Sequence, residues 1–396
     1  MIITEIKART VPDTRGRPTI ETTLVAGDRS ATASVPSGKS TGSHEAFELR
    51  DSDNGSVEQA IENVQFEIAR ELAAHDFSSA DELDAFLIEL DGTPNKSRLG
   101  ANALLSVSIA AQRLFAEADG VPLWKAIAKR AGTTPRAPRL YVNVMNGGVH
   151  ADFKLPFQEY ILVVEGKTSD ALAVAQQAFA RLGEMLGDVP MGDEGGYSPK
   201  FDDIEKPFEM LAALVAEHSG TSIAIDAAAN ALRNDIGGYT LTGKDYTPDE
   251  LRALYAGLIK KFPFHSIEDP FAETAMGDFA KLTAEAGEVI IVGDDLTVTN
   301  PERIKTAREA KAITAVLIKP NQIGSVKEAI EAVQMTRAAG WAAICSHRSG
   351  ETDDTFIADF AYGIGAHGIK AGGLGQKERR EKYERLVEIE KGAEAV

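Results

Sequence analysis

From Leu140 onward, short apolar runs alternate with longer helical stretches, and six of those runs finish on a polar or charged residue. They are SIAID at Asp226, HSIE at Glu268, VIIVGD at Asp294, AVLIK at Lys319, AAICSH at His347 and HGIK at Lys370. The intervals of 42, 26, 25, 28 and 23 positions between them each suit one strand-plus-helix unit. Few folds accept such a pattern. A barrel of parallel strands wrapped in helices does, and the roughly 250 residues available are the usual size of one (β/α)8 barrel. In that architecture the C-terminal ends of the strands converge on one mouth, so residues remote in sequence become neighbours. One strand ending on a charge predicts only a solvated terminus. Six in series predict a site.

That site gathers three carboxylates, two lysines and a histidine. Asp226, Glu268 and Asp294, without cysteine or a cluster of histidines, suit a hard, oxygen-seeking ion, so Mg2+ is preferred over zinc. The structural alternative pairs them with Lys319 and Lys370, which buries five charges at considerable cost. Two lysines beside a divalent cation repel each other and the metal, and this lowers a lysine pKa toward proton-accepting range. A lysine base facing a metal-bound carboxylate suits removal of a C–H proton next to that carboxylate. Loss of a hydroxyl then needs an acid. Glu194, in the glycine-flanked loop VPMGDEGGYSP, and Glu159, which interrupts the apolar LPFQEYILV, are the candidates. Each alone is read as structural unless its pKa is raised. His347-Arg348-Ser349-Gly350 offers a guanidinium fork, a hydroxyl and backbone N–H groups to a phosphate. Cys345 lies in WAAIC and is expected to be a buried, inert thiol.

The first third differs. Strand-like segments at Ile2–Arg9, Thr19–Val25 and Ser30–Val35 are separated by turn formers at Pro12-Asp13 and Gly27-Asp28. Helical spacing follows at Val57, Ile61, Val64, Ile68 and Leu72, and again at Leu83, Phe86, Leu87 and Leu90. Ala103–Ala118 is apolar nearly all round and stops near Gly120, as a buried helix does. An α+β domain over 1–131, a linker from Gly132 to Pro138 and a barrel domain over 138–396 are therefore expected. Residues 33–40, ASVPSGKS, match a relaxed phosphate-loop pattern, but alanine replaces the first glycine and Pro36 removes a backbone donor. A nucleotide site there would leave the strand-end charges unexplained.

A net charge of −18 argues against sequence-independent binding to nucleic acid or to an anionic membrane. No stretch approaches the roughly 18–20 apolar residues of a membrane helix, and the opening MIITEIKART lacks a signal-peptide core. The single cysteine, Cys345, makes a reducing cytoplasm the natural setting.

Ten segments stand in the order found in one family: PSGKSTGSHEAFELRD, NKSRLGANA, NVMNGGVHA, QEYI, GDEGGYSP, SIEDP, GDDLTVTNP, LIKPNQIGS, SHRSGET and GIKAGG. Through nearly its whole length the chain resembles enolase (phosphopyruvate hydratase). The resemblance implies an α/β fold in which the barrel begins ββαα(βα)6 rather than βαβα, with a smaller N-terminal α+β domain. It implies Mg2+-dependent dehydration of 2-phosphoglycerate to phosphoenolpyruvate, with metal ligands Asp226, Glu268 and Asp294. Lys319 would be the base and Glu194 the acid, supported by Glu159. Lys370 would contact the substrate carboxylate, Arg348 and Ser349 the phosphate, and His150 and His347 would line the pocket. Ser40 would bind a second Mg2+ when a mobile loop over 36–43 closes. A homodimer or larger homo-oligomer is also implied. Lys39, Ala227–Asn230, Gly373–Lys377 and Pro320 depart from the family's usual residues, which leaves an enolase-like dehydratase for a different acid as the alternative.

Overall fold

The structure, a computed structural model, describes residues 1–39, 42–52, 55–152 and 154–394. Its N-terminal part is an antiparallel meander of β1 (Glu5–Pro12), β2 (Pro18–Ala26) and β3 (Arg29–Ser34). Alternation along β2 places Ile20, Thr22 and Leu24 on the buried face, where the helix Ala101–Ala118 covers them. Thr22 and Ser106 share a hydrogen bond of 2.7 Å across that contact. β1 lies three residues later than the sequence suggested. Its register, Glu5 opposite Val25 through Pro12 opposite Pro18, is set by the turn at 13–17, where the Asp13 carboxylate accepts the Arg15 and Arg17 N–H groups. The helix expected around Val57–Leu72 forms over Glu58–Ala73, with one wider π-helical turn at Asn63–Ile68.

The C-terminal part contains β4 (Arg139–Asn146), β5 (Glu159–Val164), β6 (Thr221–Asp226), a small hairpin of β7 (Tyr239–Leu241) and β8 (Lys244–Tyr246), then β9 (Phe264–Glu268), β10 (Ile290–Gly293), β11 (Ala315–Ile318), β12 (Ala342–Ser346) and β13 (Gly368–Gly372). Eight of these close a barrel in the order β4-β5-β6-β9-β10-β11-β12-β13. Tyr141, Ile161, Val163, Ala224, Val292, Ala315, Leu317 and Ile344 fill its interior, so it is a packed core and not a pore.

The plain (β/α)8 reading needs one correction, in the direction the family resemblance implied. β5 pairs antiparallel with both β4 and β6, and two helices, Thr168–Leu186 and Lys206–Glu217, follow it before β6. Among the described residues, the connection from β4 to β5 contains no α-helix that could carry the chain back along the outside, so β5 must run the opposite way. Its first residue, Glu159, therefore lies at the mouth, in register with Asn146 and Asp226.

The two parts meet at that mouth. Ser37, just beyond β3, exchanges both backbone hydrogen bonds with Gly350, at 2.8 and 2.9 Å. Arg113 clamps Asp354 with two bonds of 2.7 Å. The described residues 33–39 thus do not lead into a helix as a phosphate loop of the nucleotide kind does: among the described residues, no helix begins before Glu58.

Candidate active site

The strand ends converge. Asp226 and Glu268 are the last residues of β6 and β9 and stand side by side in register. Asp294, Lys319 and His347 each follow the last residue of β10, β11 and β12, and Lys370 lies within β13. A small cavity is lined by His150, Glu159, Glu194, Asp226, Lys319, His347, Arg348, Ser349 and Lys370, together with Gln158 and Ser346. Glu268 and Asp294 contact it through the lysines. Ser40 lies outside the described residues.

Lys370 reaches across the mouth to three carboxylates: Glu159 at 3.0 Å, Asp226 at 3.1 Å and Glu268 at 2.9 Å. Lys319 holds Asp294 at 2.5 Å, and Gln322 donates to the other Asp294 oxygen at 2.9 Å. Burial alone would push both lysines down. Asp294 reverses this at Lys319, and Asp226, Glu159 and Glu268 reverse it strongly at Lys370, so both ammonium groups are held charged. The lowered lysine pKa expected from the sequence depends on a divalent cation beside the pair, whereas here the surrounding carboxylates raise both lysines. The crowding also acts on the acids. Burial and the neighbouring Asp226 push the Glu268 carboxyl well above its ordinary range.

Opposite the lysines stand the two candidate acids. Burial and the Glu194 charge raise Glu159 well above a normal glutamic acid. Glu194 goes the other way: burial would raise it, but His150 at 3.5 Å, with Arg379 and Lys370 behind it, holds it well below its ordinary range. Asn143 adds a hydrogen bond of 3.1 Å to Glu194. The two acids therefore titrate as a pair, with Glu159 pushed up and Glu194 held down. Burial, and then Arg379, keep His347 neutral.

At the other end of the cavity Arg348 is clasped by Glu45 with bonds of 2.9 and 3.0 Å and donates to Asn321 at 3.0 Å. The Ser349 hydroxyl accepts the Lys39 backbone N–H at 2.8 Å. Cys345 is buried in β12, where burial raises its thiol pKa and leaves it unreactive.

The residues fit a hard divalent cation. Among the described residues, two groups bring three ligand atoms within 4.8 Å of one another: Glu159 with Glu194 and His347, and Asp269 with Asp294 and Asp295. Asp226, Glu268 and Asp294 are more spread, since Lys370 draws the first two and Lys319 the third. An all-carboxylate set whose negative charge is crowded enough to raise Glu268 has the chemistry of an oxygen-ligand site.

Four contributors escaped the sequence reading. Arg379 donates to His347 Nδ1 and to the carbonyls of Ser349 at 2.9 Å, Arg348 at 3.2 Å and Asp193 at 3.2 Å. Glu45 occupies Arg348, Asn143 orients Glu194, and Gln158 donates to Asp226 at 3.3 Å. Gln158 is adjacent to Glu159 and was within reach of a motif reading. Arg379 was not, because nothing in its local pattern marks it as buried.

Comparison with known proteins covers the whole chain. Residues 136–395 match the family described as enolase, C-terminal TIM barrel domain, and residues 3–127 match the enolase N-terminal domain. The chain is 42% identical to the protein named Enolase from Methanopyrus kandleri, over 98% of this chain and 95% of that one. It is 41% identical to Enolase B of Dictyostelium discoideum and 40% identical to Enolase of Thermococcus gammatolerans, in each case over 100% of this chain and 96% of the relative.

Proposed function

The chain belongs to the enolase family of hydro-lyases, and we propose that it reversibly dehydrates 2-phosphoglycerate to phosphoenolpyruvate, with Mg2+, in the cavity at the barrel mouth. The convergence of Lys319 and Lys370 with Asp226, Glu268 and Asp294, facing the Glu159–Glu194 pair, carries this reading.

Asp226, Glu268 and Asp294 would hold the metal, which when bound supplies a Lewis acid for the substrate carboxylate. Ser40 is the proposed ligand of a second Mg2+. Occupying Asp294 in this way removes the partner that keeps Lys319 charged, and the neutral amine then takes the proton from the carbon next to the carboxylate. Lys370 holds that carboxylate by charge. The Glu159–Glu194 pair donates its proton to the departing hydroxyl, Glu194 being the member oriented by Asn143 and His150. Arg348 and Ser349 take the phosphate, which exchanges places with the Glu45 carboxylate on the guanidinium. His150 and His347 close the sides of the pocket.

On the same reading the N-terminal domain spans 1–131 and the barrel domain 138–396, and the protein works in the cytoplasm as a homodimer or larger homo-oligomer. The buried single thiol and the absence, among the described residues, of any helix long and apolar enough to cross a membrane support that setting.

The departures at Lys39, Ala227–Asn230 and Gly373–Lys377 favour testing one second reading, a dehydratase for an unphosphorylated acid. Turnover of 2-phosphoglycerate and of glycerate by the wild type, Lys319→Ala and Arg348→Ala separates the two. The expected result is activity on the phosphorylated acid alone, a loss of roughly 100-fold or more in kcat for Lys319→Ala, and a KM effect for Arg348→Ala. Equal use of both acids with an indifferent Arg348→Ala would favour the second reading.

A further inference from the structure

One residue of the N-terminal domain touches both ends of the cavity. The Lys39 backbone N–H donates to Ser349 Oγ at 2.8 Å, on the turn proposed to take the phosphate. Its Nζ donates to Asp193 Oδ2 at 2.6 Å and to the Val149 carbonyl at 2.9 Å. Asp193 immediately precedes Glu194, and Val149 immediately precedes His150.

The described backbone on either side of this span is tied down. Upstream, Ser37 is fully buried and paired with Gly350 through both backbone bonds. On the far side, the barrel holds the acid loop by its backbone: Gln376 and Arg379 donate to the Asp193 carbonyl at 3.1 and 3.2 Å, and the Gly373 N–H donates to the Glu194 carbonyl at 2.7 Å. The Asp193 carboxylate is left to two cationic or potentially cationic partners, Lys39 and His150, the latter at 3.8 Å. His150 in turn faces Glu194 through its other nitrogen. Without the ammonium group, Asp193 would have His150 alone to pair with, and the imidazole would be drawn away from Glu194.

We infer that Lys39 is a positioning residue for the dehydration, strapping the loops of His150 and Glu194 to the phosphate-end turn so that acid and phosphate site keep a fixed separation. This rests on the function proposed above. A strap made by an ion pair has a signature that packing lacks. Both partners are roughly two-fifths exposed, at 42% and 35%, so the pair weakens with salt.

The experiment is a double-mutant cycle of Lys39→Ala and Asp193→Asn, with Lys39→Arg as the charge-retaining control, on 2-phosphoglycerate at low and high ionic strength. Lys39→Ala is expected to lower kcat roughly two- to fivefold, the size of a partly exposed ion pair, with KM little changed. Lys39→Arg should recover most of that, and Lys39→Ala should add nothing in the Asp193→Asn background. High salt should bring the wild type toward the Lys39→Ala value. Losses that multiply in the double variant, or an effect confined to KM, would overturn the strap. Failure of the wild type to turn over 2-phosphoglycerate would instead count against the function, and the strap is then read by hydrogen exchange. Faster exchange of the 148–151 amides in Lys39→Ala supports it, and unchanged exchange refutes it.

Discussion

Arg379 has no exposed surface, although it stands in KERREKYER, a helical segment whose sequence suggests a solvated face. Its guanidinium gathers His347, the carbonyls of Arg348 and Ser349, and the Asp193 carbonyl, so it ties the phosphate-end turn to the acid loop from behind. Replacing it with methionine removes the donor to His347 Nδ1 and to the Arg348 carbonyl, while Gln376 and Thr14 still reach the Asp193 and Ser349 carbonyls. The expected cost is about 1–3 kcal/mol of stability, the size of a buried acceptor losing its donor. Chemical denaturation should show that drop, with a smaller one for Arg379→Lys; an unchanged midpoint would mean the network is dispensable. The contrast with Lys370 explains what a sequence discloses at this scale. A charge that ends an apolar run breaks a pattern and is seen. A charge inside a helix full of charges breaks none, and only the tertiary fold reveals that this one turns inward.

The strands show the same division. Their existence in the barrel, and the charges that finish six of them, were legible because the spacing of βα units is regular. The direction of β5 was not legible from periodicity, which is identical for a strand read either way; only the family motifs implied it. Yet that reversal brings Glu159 to the mouth and sets it beside Asp226.

The opposite end of the barrel carries a feature with a measurable consequence. His265 of β9 and His367, just before β13, come from strands on opposite sides of the closed sheet, and their Nε2 atoms lie 3.0 Å apart. One ring must donate and the other accept, so the bond needs a neutral imidazole. Arg139, 3.4 Å from His367, and Arg136 oppose protonation. Glu165 favours it but is tied to Arg139 at 2.6 Å, and the Tyr141 ring packs edge-on against His265. Burial and then Arg139 push both histidines down, His367 to about 4. The unfolded chain, with ordinary histidines near 6.5, therefore binds more protons between pH 6.5 and 4. The stability this pair contributes is present above about pH 6.5 and is lost as pH falls through 4. The melting temperature of wild type should fall more steeply over that window than that of His265→Asn/His367→Gln. Parallel profiles would remove the pair from the stability account.

For the whole molecule, a net charge of −18 and an anionic substrate are reconciled by location. Lys319, Lys370, Arg348 and Arg379 are concentrated around one small cavity, and the acids among them, Glu45, Glu159, Glu194, Asp226, Glu268 and Asp294, are those that the proposed Mg2+ would offset in part. The N-terminal domain takes part directly, through Glu45 on Arg348 and Lys39 on Asp193. Sequence spacing placed the barrel charges together, but no periodicity relates residues 37–45 to a barrel mouth 300 positions away; that contact became legible only through the family motifs and is made by tertiary docking. In the proposed function, acids and lysines from separate strands form one cation-dependent centre. Its most direct test follows the ultraviolet absorbance of phosphoenolpyruvate formed from 2-phosphoglycerate, first after chelation and then on adding back Mg2+. No rise under chelator and a rise restored by Mg2+ is the expected result, whereas turnover indifferent to chelator, or none with Mg2+ present, would contradict it.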